Sequence, residues 1–225
     1  MITFPTVVVD DFWPNPDEVV NLAYSDRITW SPSGGPWPGL RSQAVHEVDE
    51  GFFAWTQKKY FTLFWPNAEL MNMGMTFKAS SFFQRIPAGG GGWIHSDFPD
   101  VHTVIHYLSK DADGRSGTGI YRPKSLETSA KHSEWKRKVY NGEITIEEGE
   151  KYRCANNDGF VEEMFVANKF NRCIGFDSSL WHGVKDFDTG TGEERLTMVT
   201  FFHSIVANGF PMNRFRSVAQ KVHME

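Results

Sequence analysis

His95-Ser96-Asp97 sets an imidazole and a carboxylate two residues apart. On an extended strand, residues i and i+2 project to one face, so both side chains can grip one metal ion. The spacing alone says little. Chance supplies roughly one His-x-acid in a chain of this composition, judged on side-chain projection, and this chain has three: His95-Asp97, His132-Glu134 and His223-Glu225. Their surroundings differ. His132-Ser133-Glu134 lies in KHSEWKRK, a basic helical segment where i and i+2 diverge around the axis. His223-Met224-Glu225 ends the chain, where fraying is usual. His95 follows PAGGGGWI, a glycine run that lets the backbone turn sharply into a short strand, and Phe98-Pro99-Asp100 end that strand.

A third ligand should come from a later strand. GFDSSLWHGV places His182 after an apolar strand and a polar turn; an ordinary half-buried histidine fits the same context equally well. Two histidines and one carboxylate would make the facial triad of non-haem Fe(II) oxygenases, with coordination positions left open. The other histidines compete less well. His102 and His106 share a strand face but lack a carboxylate at suitable spacing, His46 stands alone, and His203 ends a strand. Thirteen residues beyond His182, Arg195 starts a strand after the turn DFDTGTGEE. There it can hold a carboxylate through two parallel hydrogen bonds, or simply pair with Glu193 or Glu194 at the strand edge.

These residues need a β framework. TFKASSFFQRI, HTVIHYLSK, TGIYRP, EEMFVANK, RCIGFD and RLTMVTFFHSIV are short β-rich runs between Gly-, Asp- and Pro-rich turns, which predicts a β-sandwich or barrel. Upstream, TFPTVVV (3–9) predicts a strand. NPDEVVNLAYS predicts a helix capped by Asn15, with Pro16 where a missing N–H costs nothing and Asp17 and Glu18 at the positive end. SPSGGPWPG (31–39) predicts a loop, and GFFAWTQKKYFTLFW (51–65) a second helix. Residues 126–153 are polar, charged and helical in character, an insertion between strands.

The 225 residues are 40% hydrophobic and 23% charged, with net charge −5, 19 Phe and 8 Trp. These values exclude a disordered, collagenous or coiled-coil chain, and without a clear basic patch nucleic acid is a poor partner. Cys154 and Cys173 are too few for a disulfide framework and suit a reducing compartment. No apolar run reaches the roughly 20 residues of a membrane span and the N-terminus carries no secretion signal, so a cytoplasmic location is expected.

GGWIHSDF, VIHYLSKD, GTGIYRP, NRCIGFDSSLWHGV and ERLTMVTFF stand in the order found in Fe(II)/2-oxoglutarate-dependent dioxygenases, and resemble the prolyl-hydroxylase-like branch. VVVDDFWPNPDEVV also resembles the entry of related small oxygenases. The resemblance covers about 78–122 and 163–205 plus the first twenty residues, and is specific because separated elements keep their order. It implies a double-stranded β-helix, or jelly roll, mainly β in class, with N-terminal helices and a helical insertion. One domain would span 1–225: a helical support at 1–75, the jelly-roll core at 76–206 with the insertion at about 126–153, and a tail at 207–225.

By the same resemblance, His95, Asp97 and His182 would hold Fe(II), Arg195 would bind the distal carboxylate of 2-oxoglutarate and Tyr107 would hydrogen-bond that carboxylate; Thr103, four residues earlier on the same strand face, could also line the pocket. O2 is the other co-reactant, and the implied reaction is C–H hydroxylation with release of succinate and CO2. Trp93, Trp181 and Phe98 flank the ligands and could wall off the substrate, although plain packing explains some of them. Arg122, with Arg115 and Lys124, could meet an anionic substrate, although such surface charges are usually just solvated. Two departures bear on the substrate, which is expected to be a protein side chain, an amino acid or a metabolite. The run FFQRIP puts Gln84 or Arg85 where prolyl hydroxylases usually have a tyrosine, and the insertion lengthens the gap from Asp97 to His182. A cupin-type metal enzyme without 2-oxoglutarate, or a non-catalytic jelly-roll module, remain alternatives.

Overall fold

The computed structural model describes residues 4–32, 39–64, 75–128 and 143–207, together with Glu134 and Lys138. The 31–39 loop, most of the insertion before residue 143 and the tail after 207 therefore fall largely outside the described residues, as do His132 and His223. In order, the elements are β1 (Val7–Val9), α1 (Pro16–Ala23), β2 (Trp30–Pro32), β3 (Leu40–Ser42), α2 (Val45–Val48), α3 (Glu50–Phe61), β4 (Thr76–Ile86), β5 (His102–Tyr107), β6 (Thr118–Pro123), α4 (Ile146–Asn157), β7 (Phe160–Val166), β8 (Cys173–Asp177), β9 (Trp181–Val184) and β10 (Arg195–Val206). The strands form two antiparallel sheets, β1-β8-β5-β10-β4-β3-β2 and β7-β6-β9. The expected jelly-roll class holds.

Side-chain alternation assigns the two faces of the large sheet. Ile105, Tyr107, Ile174, Phe176 and Val199 point inward and meet Ile120 and Val166 of the small sheet. Val104, Cys173, Leu196, Met198 and Phe202, one residue out of phase, point outward and pack under Phe12, Trp13, Val19, Tyr60, Phe61 and Phe64 from the N-terminal segment and helices. The large sheet is thus buried on both faces, which explains why β5 is buried throughout rather than alternating.

Local chemistry sets the helix ends. In α3 the Asp49 side chain accepts from the Phe52 N–H at 2.9 Å, and α4 opens with a reciprocal capping box between Thr145 and Glu148. Asn15 occupies the N-cap position of α1 but makes no capping bond; its amide donates instead to Glu18 at 3.3 Å. The expected first strand shortens to β1, because Pro5 has no N–H to give a ladder. Helix α3 ends at Phe61 rather than running to 65.

His102 and His106 belong to the outward face. His102 Nε2 lies 2.5 Å from the Tyr60 hydroxyl. The His106 ring lies 4.3 Å from Trp13 and 4.7 Å from Phe12. They are core residues beneath the helices, which disposes of them as a metal pair. Gly175 stands under the same contact: a Cβ there would run into the Tyr60 hydroxyl and meet His102 Nε2 at 3.1 Å. Gly175→Ala is therefore expected to lift α3 off the sheet and cost about 2–3 kcal/mol, measured by urea denaturation.

Candidate metal centre and its buried arginine

His95 does not sit on a full strand. Gly89 and Gly90, at φ 106° and 71°, turn the chain after β4. His95 then forms an isolated antiparallel bridge with His182 on β9. Its N–H donates to His182 O at 2.9 Å and its carbonyl accepts from His182 N at 2.7 Å. Asp97 lies in the loop beyond the bridge, where its N–H donates to Ser178 O at 2.9 Å. The short strand expected around His95-Ser96-Asp97 is thus one bridge and a pinned loop, yet both side chains reach the same point.

That point lies between three ligand atoms. His95, Asp97 and His182 each offer one, and all lie within 4.8 Å of one another; among the described residues no other group of three could hold a metal ion. His95 Nε2 is 3.3 Å from Asp97 Oδ1, and His182 Nε2 is 3.2 Å from Asp97 Oδ2. Each ring gives its Nδ1–H to a backbone carbonyl, His95 to Trp93 O at 2.8 Å and His182 to Leu180 O at 3.0 Å. This fixes both tautomers and turns both Nε2 atoms toward the carboxylate. Thr103 donates to Asp97 Oδ2 at 2.7 Å and also lies 2.8 Å from the Ser178 hydroxyl. Burial alone would raise the Asp97 carboxyl, but the neighbouring His182 and His95 rings outweigh it and hold the group well below the ordinary carboxylate range. Two imidazole nitrogens and an ionised carboxylate converging in a half-buried site suit a divalent cation of the non-haem iron type.

Arg195 does not pair with its neighbouring acids. Glu194 pairs with Arg85 on the opposite face, while Arg195 points inward and is 2% exposed. Its Nε donates to Ser116 O at 2.7 Å, and the guanidinium lies 5.6 Å from the Tyr107 ring centroid. Burial pulls it down to about 10, so it remains a cation at neutral pH. Its own Nη2 and the nearby Thr197 Oγ1 are buried and have no hydrogen-bond partner among the described residues. They stand two residues apart on the inward face of β10, where Thr197 is the cross-strand neighbour of Tyr107 and of Gln84. Unpaired buried donors beside a buried cation match a small anion, a carboxylate above all.

Tyr107 is next to Arg195 as expected, but its hydroxyl donates across the sheets to Thr118 at 2.7 Å. Thr103 is committed to Asp97 and Ser178, at the triad rather than at the arginine. Trp93 contributes its carbonyl to His95, Trp181 packs on Phe160 with ring centroids 5.0 Å apart, and Phe98 is 72% exposed. Arg122 is paired with Glu163, Arg115 with Asp113 and Asp188, and Lys124 donates to Asp158 O. Gln84, not Arg85, faces inward; with its amide oxygen turned toward Arg41, it accepts from Nη2 at 2.7 Å. The Arg41 guanidinium lies 5.4 and 5.8 Å from the Phe82 and Phe201 ring centroids. Sequence reasoning missed Thr197, Arg41 and Ser178. Only Thr197 carried a usable signal, its i+2 position from Arg195 on a strand.

A family model described as a family of unknown function, DUF6445, matches residues 3–202. The chain belongs to DUF6445. No curated protein matches this DUF6445 chain. Its fold is similar to that of a Pseudomonas putida prolyl-4-hydroxylase, at 15% identity and a TM-score of 0.50, covering 91% of this chain and 93% of that one. HygX from Streptomyces hygroscopicus, solved with nickel and 2-oxoglutarate bound, gives 11% identity and a TM-score of 0.54 over 89% and 83% of the two chains. An oxidoreductase of the 2OG-Fe(II) oxygenase family from Burkholderia pseudomallei gives 11% and 0.50 over 93% and 87%. The DUF6445 chain thus shares the fold of prolyl-hydroxylase-like 2-oxoglutarate oxygenases. Among its described residues no helix is long and apolar enough to cross a membrane.

Proposed function

We propose that this chain is an Fe(II)- and 2-oxoglutarate-dependent oxygenase that hydroxylates a C–H bond of its substrate. His95, Asp97 and His182 would hold the iron, and Arg195 with Thr197 would take the distal carboxylate of 2-oxoglutarate beside the Tyr107 ring. The observation that carries this is the meeting of three ligand atoms, remote in sequence, within 4.8 Å. Bound iron with 2-oxoglutarate and O2 would supply the oxidising power, with succinate and CO2 as coproducts. The chain's own part is placement. The two carbonyls behind His95 and His182 keep both Nε2 atoms free to ligate. Thr103 orients the carboxylate of Asp97. Arg195 fixes the cosubstrate's direction by pairing with its far end.

Phe82, Phe201 and Arg41 form the inward wall next to this site, since Phe201 is the cross-strand neighbour of Thr103. We assign substrate contact to that wall rather than to Arg122, whose charge is already paired. Two unbridged cysteines fit a cytoplasmic protein. The test is binding followed by turnover. The protein should bind Mn(II) or Co(II) at one ion per chain and release succinate from 2-oxoglutarate when Fe(II) is supplied. Asp97→Ala should abolish the metal binding. Retained stoichiometric metal in that variant, or metal binding with no measurable 2-oxoglutarate affinity, would refute the assignment.

A further inference from the structure

The segment carrying His95 has one edge paired to β9, through Gly92 N to Val184 O at 2.7 Å and the His95–His182 bridge. Among the described residues its other edge faces no strand. The last turn of α4 takes that place. Asn157 Nδ2 donates to Gly92 O at 2.9 Å, and Asn157 Oδ1 accepts from Ile94 N at 2.9 Å. One side-chain amide thus makes the donor–acceptor pair that a neighbouring strand would supply. Asn156 Nδ2 completes the edge by donating to Ile94 O at 3.2 Å and to Asn157 Oδ1 at 3.0 Å.

The Ile94 N–H and the Trp93 carbonyl belong to a single peptide group. Its N–H is held by Asn157, and its carbonyl accepts the Nδ1–H of His95 at 2.8 Å. A hydrogen bond at one end of a peptide orients and polarises the other end. We infer that Asn157 is a positioning residue for the metal centre: through the Trp93–Ile94 peptide it fixes the ring orientation and Nδ1–H tautomer of His95, and so ties the inserted helix α4 to the candidate metal ligand. The inference rests on the proposed function for the purpose of the clamp but not for its existence, because the tautomer can be read without metal.

The test uses the full chain with Asn157→Ala, Asn157→Asp and Thr145→Ala. Asp keeps the acceptor for Ile94 N. Thr145→Ala removes the capping box and weakens α4 without touching the clamp. In the metal-free, nitrogen-15-labelled protein, His95 should be the Nδ1–H tautomer in the wild type, in Asn157→Asp and in Thr145→Ala, but mixed in Asn157→Ala. In Co(II) titration, Asn157→Ala should weaken binding by about tenfold, the lower end of what partners of metal-ligating histidines contribute. Asn157→Asp should recover to within about threefold and Thr145→Ala should stay within about twofold. An unchanged His95 tautomer in Asn157→Ala, or an equal loss in Thr145→Ala, would overturn the inference. A tautomer change in Asn157→Ala, found together with a wild type that binds no Co(II), would keep the clamp and sink the proposed function instead.

Discussion

Arg195→Met is expected to leave metal binding within about twofold while weakening 2-oxoglutarate binding by roughly 100-fold or more, and to leave the fold as stable as before or more so. The opposite directions follow from the same burial. Arg195 is a fully buried cation that no carboxylate pairs with among the described residues, and one of its nitrogens lacks any partner. An unpaired buried charge is a cost to the fold, and an apolar residue of similar length removes that cost without opening a cavity. Losing one partner of a buried charge pair in a complex costs about 2–5 kcal/mol, and 2.8 kcal/mol is about 100-fold in affinity. Calorimetry on the Mn(II)-loaded protein reads the affinity, and urea denaturation reads the stability. If Arg195→Met bound 2-oxoglutarate within about threefold of wild type, the cosubstrate would sit elsewhere, and a metal enzyme of another kind would be the better account of the triad.

Thr197 sharpens that expectation. Its hydroxyl is the second unpartnered group on the inward face, so Thr197→Val should cost a smaller part of the same affinity, about one hydrogen bond or roughly tenfold. It also shows where the sequence was legible and where it was not. Strands β4, β6 and β10 coincide with TFKASSFFQRI, TGIYRP and RLTMVTFFHSIV, because each run is bounded by turn residues and rich in β-branched and aromatic side chains. The inward direction of Arg195 then follows from parity once one neighbour is known to face the core. His95 and Asp97 could be found because they are close in chain. Their union with His182 was visible only through the resemblance, since no local pattern announces a contact across 85 residues.

Asn157 is the opposite case. It stands at the end of a polar helix in an insertion, beside Asn156 and Asp158, where a capping or turn role is the ordinary expectation. Its pairing with the Gly92–Ile94 backbone depends on where the end of α4 meets that distant segment, and side-chain-to-backbone bonds spanning some sixty residues leave no periodic trace. The same holds for the outward face of β5. HTVIHYL puts its two histidines on one strand face, and the run itself does not say what covers that face. The N-terminal helices cover that face, so the polar positions became core. Tertiary cover, absent from any local window, decided their burial.

Those two covered histidines carry the second large effect, an acid lability of the fold. His102 and His106 are each held down to about 3 by burial, against an ordinary 6.5. In the unfolded chain both take up a proton as pH falls through 6.5; in the folded chain both stay neutral until about 3. The unfolded state therefore binds more protons throughout that window, so stability must fall as pH falls, by up to about 1.4 kcal/mol per pH unit for each histidine. Against a total of roughly 5–15 kcal/mol, that slope is enough to unfold the protein within a few units of neutrality. His106 is the residue to change. Its Nδ1 has no partner among the described residues, and its ring packs against Trp13 and Phe12. His106→Leu should lose little at pH 8 and gain progressively on wild type below pH 6.5, halving the joint contribution of the pair. Urea denaturation of both proteins from pH 8 to pH 4 gives the difference directly, and the triad and all surface carboxylates cancel in it. Parallel curves would mean that His106 titrates alike in the folded and unfolded chains, and that the helices do not seal the outer face of β5.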